Sequence, residues 1–284
     1  MPTFDTPEQI TATIDIPIGA VHLIASDRTD TVVAVNPGDP SRPRDVSVAQ
    51  ETHIEYADGR LVVRAPRPRG LVNLVSGASR YGRVEVVVEL PDGSEVEFEA
   101  QVGDVRADGR LGEVRVKTAA GEIRVDDTGP ARLETPGGAV TLGRAAGRVA
   151  IVAAGEVRVT AVRGDAQVKN LNGRTWVGEV TGELRVRSSN GDITIHRSSG
   201  QANAKTANGD IRIDEVAGGS IHLATGSGQV NVGITADTAA WVDAHSRFGR
   251  IIRDLDDAPT PGDDRSTAEV RARTSFGDIA IHRA

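Results

Sequence analysis

Residues 181–213 read TGELRVRSSNGDITIHRSSGQANAKTANGDIRI, and this stretch decides the fold. Polar and apolar residues alternate in several short runs, which is the period-2 pattern of β-strands with one buried face. Glycines separate the runs, and Asn-Gly pairs follow one another at Asn190 and Asn208. The stretch therefore predicts two short strands in every 18 or so residues, joined by glycine-rich turns.

The same phrase, a Gly followed by polar, apolar, polar and apolar residues, recurs from residue 103 onward. A period held near 18 residues over seven intervals indicates a repeat architecture. The clear copies begin at Gly103, Gly121, Gly138, Gly155, Gly173, Gly191 and Gly209, and looser copies begin at Gly228, Gly249 and Gly277.

Two geometries fit this repeat: a chain of antiparallel hairpins, or a solenoid in which each coil stacks on the last. Asn-Gly is a strong hairpin signal. However, an Asn recurs once per coil at positions 172, 190 and 208, as stacked turns require. We therefore predict an all-β fold, a single-domain, parallel β-solenoid resembling a β-helix, right-handed by the crossover rule. A Ser/Thr column should stack beside the Asn column: Thr118, Thr135, Ser188, Thr206, Thr225 and Thr274.

The two ends of the chain depart from the period. Residues 1–100 contain strand-like runs without the strict spacing, interrupted by Pro-rich stretches at 36–44 and 66–70 that we interpret as loops. No segment shows a helical pattern. The predicted organisation is an irregular N-terminal β region at 1–100, continuous with regular repeats at 101–284, with an acidic loop at 254–267 before a last strand. The predicted N-terminal strands are Ile10–Ile16, Val21–Ala25, Thr31–Val35, Leu61–Arg64 and Val84–Leu90.

Composition excludes several classes of function. The chain has 284 residues, no Cys and a formal net charge of −7, which argues against disulfide or thiolate chemistry and against a dedicated nucleic-acid binder. The opening MPTFDTPEQITATIDIP has neither the basic nor the apolar region of a secretory signal. No apolar stretch is long enough for a transmembrane helix. We therefore expect a cytoplasmic protein.

The opening TFDTPEQITATIDIPIGAVHLIASDRTDTVV, the phrase YADGRLVV and the NGDIRI-like repeats resemble a bacterial β-strand-repeat family of unknown function, often named adhesins. The resemblance covers essentially the whole chain. It implies a right-handed β-helical stack and brings no agreed catalytic or binding residues. Some relatives are linked to envelope-stress and antimicrobial-peptide responses. The repeat is also loosely similar to bactofilins, which polymerise end to end.

No catalytic, metal or cofactor motif stands out. The six His lack metal-ligand spacing, and the glycine turns open strands rather than the helices that phosphate loops require. Carboxylates recur one position after the key Gly, with Arg two residues further along. Neighbouring carboxylates about 5 Å apart match retaining-glycosidase geometry, but a surface ladder of Asp/Glu beside Arg is the simpler account. These carboxylates are Asp104, Glu122, Glu156, Asp192, Asp210 and Asp278.

The outer face of the second strand carries a basic strip. All three lysines of the chain lie four residues before a key Gly, and Arg occupies the same or a neighbouring column elsewhere. Such a strip suits an anionic partner, although a solvated strand face is the simpler account. The candidate binding residues on the strip are Lys169, Arg185, Arg187 and Lys205.

Trp176 is the second candidate, at an outward position where other coils carry Arg or Thr. An exposed Trp near Arg158 and Arg212 would make a binding anchor, and packing under an N-terminal loop is the alternative. Three further aromatics, Trp241, Phe248 and Phe276, should pack against the 254–267 loop and cap the stack. A self-association surface is the other reading of this cluster.

Three functions therefore remain open. The leading hypothesis is a non-catalytic, cytoplasmic binding or scaffold module, which is adhesin-like, needs no cofactor, and has a protein partner or a second copy as ligand. The second is a sensor or sequestering protein in an antibiotic or envelope-stress response, binding a small molecule, peptide or anionic ligand. The third is a carbohydrate-active β-helix, which lacks the expected aromatic platform.

Overall fold

The computed structural model describes residues 1–67, 82–255 and 266–284. Contacts between Cα atoms divide the chain into two units, residues 1–139 and 140–284. Within the described residues both units consist of β-strands, and the first unit also contains one helix. This architecture confirms the predicted β-solenoid class. Much of the two predicted loops at 66–70 and 254–267 lies outside the described residues.

The first unit contains long strands that run through more than one coil. The strands are β1 (Thr3–Asp5), β2 (Thr11–Ser26), β3 (Asp30–Pro37), β4 (His53–Ala57), β5 (Arg60–Arg64), β6 (Val84–Pro91), β7 (Glu95–Arg110), β8 (Val114–Ala120), β9 (Ile123–Thr128) and β10 (Ala131–Thr135). β2 pairs in parallel with β5, β6 and β7, and β7 continues into parallel pairs with β8 and β9. β3 pairs antiparallel with β1 and β6, and β4 with β5.

A helix, α1 (Pro43–Glu51), corrects the expectation that the chain has none. The loop predicted at 36–44 is confirmed only for residues 38–42, which lie between β3 and α1. Pro43 stands in the first turn, where its missing N–H costs nothing and its fixed φ suits a helix. Asp45 is buried, and its carboxylate accepts hydrogen bonds from the backbone N–H groups of Asp39 and Arg83, both at 3.0 Å. The Pro-rich flank therefore marked a helix start rather than an extended loop.

The second unit is the regular solenoid, with two strands per coil. Its strands are β11 (Val140–Ala145), β12 (Val149–Ala153), β13 (Val157–Val162), β14 (Ala166–Asn172), β15 (Thr175–Val180), β16 (Leu184–Asn190), β17 (Ile193–Ser198), β18 (Ala202–Asn208), β19 (Ile211–Val216), β20 (Gly219–Ser227), β21 (Val230–Ile234), β22 (Thr238–Phe248), β23 (Ile251–Asp254), β24 (Ser266–Phe276) and β25 (Ile279–Arg283).

These strands form two parallel series, one on each side of the coils. Sheet A runs β12–β14–β16–β18–β20, and sheet B runs β11–β13–β15–β17–β19–β21. The inward side chains Leu184, Val186, Ile193 and Ile195 are at most 2% exposed, as predicted. Alternation along each strand therefore supplies the thin aliphatic core, and every second residue faces outward.

The last coils correct the expectation that each coil stacks on the one before it. β24 pairs with β20 on one side and β22 on the other, and β25 lies between β21 and β23. The coil of residues 266–283 is thus inserted between those of 219–234 and 238–254. Consequently, among the described residues, the terminal strands of this stack are β22 and β23, not the last strands in the sequence.

The turns stack as the Asn column predicted. Asn190 Nδ2 donates to Asn172 Oδ1, and Asn208 Nδ2 donates to Asn190 Oδ1, each at 3.0 Å. At Gly191 φ is +130°, and a Cβ would lie 2.1 Å from the Gly173 carbonyl oxygen. Only glycine fits this combination of positive φ and close backbone approach.

The hydroxyls of Thr225 and Thr274 in the Ser/Thr column donate hydrogen bonds to backbone carbonyls rather than to one another. The Thr225 hydroxyl donates to the carbonyl of Gly209 at 2.8 Å, and the Thr274 hydroxyl to that of Gly228 at 2.9 Å. Each hydroxyl therefore links its coil to a turn glycine of an adjacent coil.

Candidate functional site

Three cations occupy one outward column of sheet A. Register pairs Lys169 with Arg187 and Arg187 with Lys205, on the consecutive strands β14, β16 and β18. All three side chains are exposed. Since neighbouring strands lie about 4.8 Å apart, the three charges rise along the stack at roughly that interval. We call Lys169, Arg187 and Lys205 the cation column.

None of the three cations has a hydrogen-bonding or ion-pair partner among the described residues. The neighbouring column is different, because Arg185 Nε donates to Glu183 Oε1 at 2.7 Å. Register places Val152 before the column and Ala224 after it, so apolar residues bound it at both ends. The predicted strip is therefore narrower than the sequence indicated, with one neutralised column and one unpaired column.

Trp176 lies on the opposite sheet from the cation column. In sheet B the outward column reads Arg158, Trp176, Thr194 and Arg212. The Arg158 guanidinium carbon lies 5.1 Å from the centre of the Trp176 ring, at cation–π distance. Thr194 separates Trp176 from Arg212, so the structure brings only one of the two predicted arginines to the indole.

Both of these arginines are already paired. Arg158 Nη2 lies 3.2 Å from Glu156 Oε1, and Arg212 donates through Nε to Asp214. Trp176 itself is half-buried. The seven candidate binding residues thus fall into two groups on two sheets, and only the cation column has free charge.

The carboxylates after the key glycines have a structural partner that sequence reasoning missed. Asp192 Oδ1 accepts the backbone N–H of Asp210 at 3.0 Å, and Asp210 Oδ1 accepts that of Gln229 at 2.7 Å. Asp104 does the same for Glu122 at 2.8 Å. The expected pairing of such carboxylates with Arg two residues later holds for Glu122 with Arg124 and for Glu156 with Arg158. The aspartates instead bind the turn of the next coil.

Two other aspartates are each held by an Arg of their own strand and a His of an adjacent strand. Asp108 bonds Arg106 and His22, and Asp214 bonds Arg212 and His196. Burial raises the pKa of Asp214, but the hydrogen bonds from Arg212 and His196 outweigh burial, so that the pKa lies below its ordinary value. The same balance of causes lowers the pKa of Asp108.

Across residues 1–67, 82–255 and 266–284, no three His, Asp or Glu side chains converge in a way that could hold a metal ion. In the same residues, no helix is long and apolar enough to cross a membrane.

The comparisons define the class of protein. The sequence matches the family described as Toastrack DUF4097 over residues 22–282. The chain belongs to this family, which confirms the resemblance stated above. No curated protein matches it significantly. The looser similarity to bactofilins stays an expectation.

Several solved structures are also similar over nearly their whole length. A "putative cell adhesion protein" from Clostridium sporogenes is 13% identical, with 100% of this chain and 98% of that chain covered and a TM-score of 0.23. A "putative adhesin" from Bacteroides fragilis is 13% identical, with 99% and 95% covered and a TM-score of 0.38. A "putative adhesin" from Parabacteroides distasonis is 11% identical, with 98% and 95% covered and a TM-score of 0.34.

Proposed function

We propose that this protein is a non-catalytic binding module whose cation column holds an anionic polymer along the stack of coils. The supporting observation is that Lys169, Arg187 and Lys205 stand on three consecutive strands without a partner among the described residues. A cytoplasmic location is part of the proposal, and fractionation of the source cells would test it.

Repulsion among the three cations of the column favours the binding of a polyanion. Unit charges about 5 Å apart in water repel one another by roughly 1 kcal/mol before screening. The screening length at physiological salt is about 8 Å, so that each cation still feels its neighbour. A ligand with several anionic groups relieves this repulsion at all three positions together. A monovalent anion would relieve it at one.

The carboxylates support a non-catalytic role. An acid–base pair needs two carboxylates that are free to protonate and approach a substrate. Asp192 and Asp210 instead accept backbone N–H groups of the following coil, and Glu156 pairs with Arg158. Their observed bonds serve the stacking of coils.

Binding of fluorescein-labelled poly-L-glutamate and of heparin, followed by fluorescence anisotropy at low and physiological salt, tests the proposal. The triple variant Lys169→Gln, Arg187→Gln, Lys205→Gln removes the column. The control variant Arg124→Gln, Arg158→Gln, Arg212→Gln removes the same charge from arginines that are already paired with Glu122, Glu156 and Asp214.

We expect the column variant to bind at least about tenfold more weakly than the wild type, and the control to lose less than about threefold. Equal losses of affinity in the two variants would show that binding depends only on the net charge of the protein. That result would refute a specific role of the cation column. Absence of saturable binding of both polyanions to the wild type would refute the proposal outright.

A further inference from the structure

The stack of the second unit ends on an exposed strand. β22 pairs with β24 on one side, and no described strand pairs with its other side. Its inward residues are Ala240, Val242, Ala244 and Ser246, which register aligns with Ala268, Val270, Ala272 and Thr274 of β24. We call these four residues of β22 the open edge.

The open edge leaves the solenoid core half-covered. Val270 and Ala272 of β24 are fully buried. Val242 and Ala244, at the same positions one coil further on, are only partly buried. Aliphatic side chains that are buried in every preceding coil thus meet solvent here, and removing them from water would be favourable.

The backbone of the open edge is also unsatisfied. In preceding coils an inward residue donates its N–H to the next coil, as Ala166 does to the Glu183 carbonyl and Leu184 to the Gln201 carbonyl, both at 2.8 Å. In parallel strands alternate residues bond to alternate neighbours. The N–H groups of Val242, Ala244 and Ser246 therefore point past the end of the stack, where no described residue receives them.

Large apolar side chains surround this edge. Trp241 and Phe248 are both 57% exposed, and Phe276 is 58% exposed. Phe248 and Phe276 stack on each other with ring centres 5.0 Å apart. A long edge with exposed aromatics is a template for pairing with another strand.

We infer that the open edge pairs with the open edge of a second copy of this chain, antiparallel, about a twofold axis through Ala244. A twofold axis across the end of a stack keeps inward side chains inward on both copies. It also aligns the free N–H and C=O groups of Val242 with those of Ser246 in the other copy, and those of Ala244 with their own equivalents. A closed dimer results, because a twofold contact uses the same edge of both copies.

The outward residues of β22 favour a second copy as the partner, because in a twofold arrangement they can pair with one another through a hydrogen bond and a cation–π contact. In the register centred on Ala244, Asp243 faces His245 of the other copy and Trp241 faces Arg247. A shift by two residues in one direction sets Asp243 against Asp243, which like-charge repulsion disfavours. The opposite shift sets Asp243 against Arg247 but leaves Trp241 facing Gly249 and His245 facing its own equivalent, and the cross-link at position 244 distinguishes it from the register centred on Ala244.

The pairing runs along β22 rather than β23. In β23 an arginine, Arg253, occupies an inward position aligned with the buried Ile281. Charges at inward positions are a common protection of sheet edges. Eleven residues of β22 span about 36 Å at 3.3 Å per residue, long enough for several paired hydrogen bonds.

Sedimentation equilibrium of the full chain from nanomolar to tens of micromolar tests the inference. We expect twice the chain mass of 29.8 kDa at the higher concentrations. Ala244→Lys places a charge in the half-buried centre of the interface and should give a monomer with unchanged circular dichroism. The control Thr160→Lys adds the same charge at an exposed outward position of β13 and should leave the dimer intact.

A single cysteine tests the register, since the chain contains none. Directly opposite residues of an antiparallel pair have Cα atoms about 5.5 Å apart, within disulfide range. Under mild oxidation, most of an Ala244→Cys variant should run as a covalent dimer on non-reducing gels. A Thr160→Cys control should remain monomeric on the same gels.

Several outcomes would overturn the inference. A wild type that stays monomeric at tens of micromolar would overturn it. Assemblies larger than a dimer would contradict a closed twofold contact. Cross-linking of Thr160→Cys as efficient as that of Ala244→Cys would show that collision alone explains the covalent product. None of these results depends on polyanion binding at the cation column.

Discussion

The outward positions about four residues before the key glycines carry different charges in the two units: the signs alternate in the first unit and are all positive at the cation column of the second. In the first unit, residues four before the key glycines align as Glu99, Lys117 and Glu134, and Lys117 Nζ lies 3.9 Å from Glu99 Oε1. In the second unit the equivalent positions are Lys169, Arg187 and Lys205. Because alternating charges satisfy the first unit, the coil does not require three adjacent cations. The difference motivates the proposal that the cation column binds an anionic ligand.

The largest expected effect comes from copying the first pattern into the second unit. The double variant Lys169→Glu, Lys205→Glu gives a Glu–Arg–Glu column. We expect its affinity for poly-L-glutamate to fall on the order of 100-fold, since two attractive charges become repulsive. Fluorescence anisotropy measures this loss, and a fall smaller than that of the triple Gln variant would contradict the assignment.

The reverse exchange should create a site. Glu99→Lys with Glu134→Lys gives three adjacent lysines and also releases Arg132, which bonds Glu134 at 2.7 Å. In a background that lacks the native column, we expect this variant to recover polyanion binding to within about tenfold of the wild type. If binding does not return, the native site needs more than a column of cations.

Stability should change in the opposite sense to binding. Opposite charges on adjacent strands stabilise a sheet by about 0.2–1 kcal/mol, and like charges destabilise it by similar amounts. We therefore expect Lys169→Glu with Lys205→Glu to raise the free energy of unfolding by about 0.5–1 kcal/mol in urea denaturation. A lower stability than that of the wild type would show that the three cations have partners in solution.

The smallest effect concerns a motif that the two units share. Asp214 has a lowered pKa, so its contribution to stability is present above the ordinary Asp value of 3.8 and is lost as the pH falls through the folded value. Asp214→Asn should cost about 0.5 kcal/mol at pH 7, and this cost should shrink below about pH 4. Asp108→Asn in the first unit should respond alike, because its Arg and His partners are equivalent. A cost independent of pH would refute the ion-pair explanation.

Most of the regular fold could be predicted from the sequence. The period-2 alternation placed Leu184 and Ile193 inward, and the recurring Asn-Gly pairs placed Asn172 and Asn190 in one ladder, because both signals are local and repeat. Helix α1 was missed, since its only strong signal, Pro43 in the first turn, stood beside other prolines that suggested a loop.

The candidate site was predicted less completely. The sequence placed Lys169, Arg187 and Lys205 in one column, but it could not show which charges were already paired. Glu183 neutralises Arg185 and Glu156 neutralises Arg158, and both pairs depend on side-chain geometry. The repeat pattern also could not predict the order in which the last three coils stack, because the coils of residues 238–254 and 266–283 carry the same inward Ala-x-Val-x-Ala pattern.

That shared pattern has a consequence for how the chain folds while the ribosome synthesises it. Residues 238–254 are synthesised before residues 266–283, yet the later coil lies between residues 219–234 and the earlier one. While the later coil is still unmade, Ala240, Val242 and Ala244 offer β20 the same apolar register that Ala268, Val270 and Ala272 finally supply. A nascent chain that pairs β22 with β20 would therefore have to release β22 before β24 could take its native place between them.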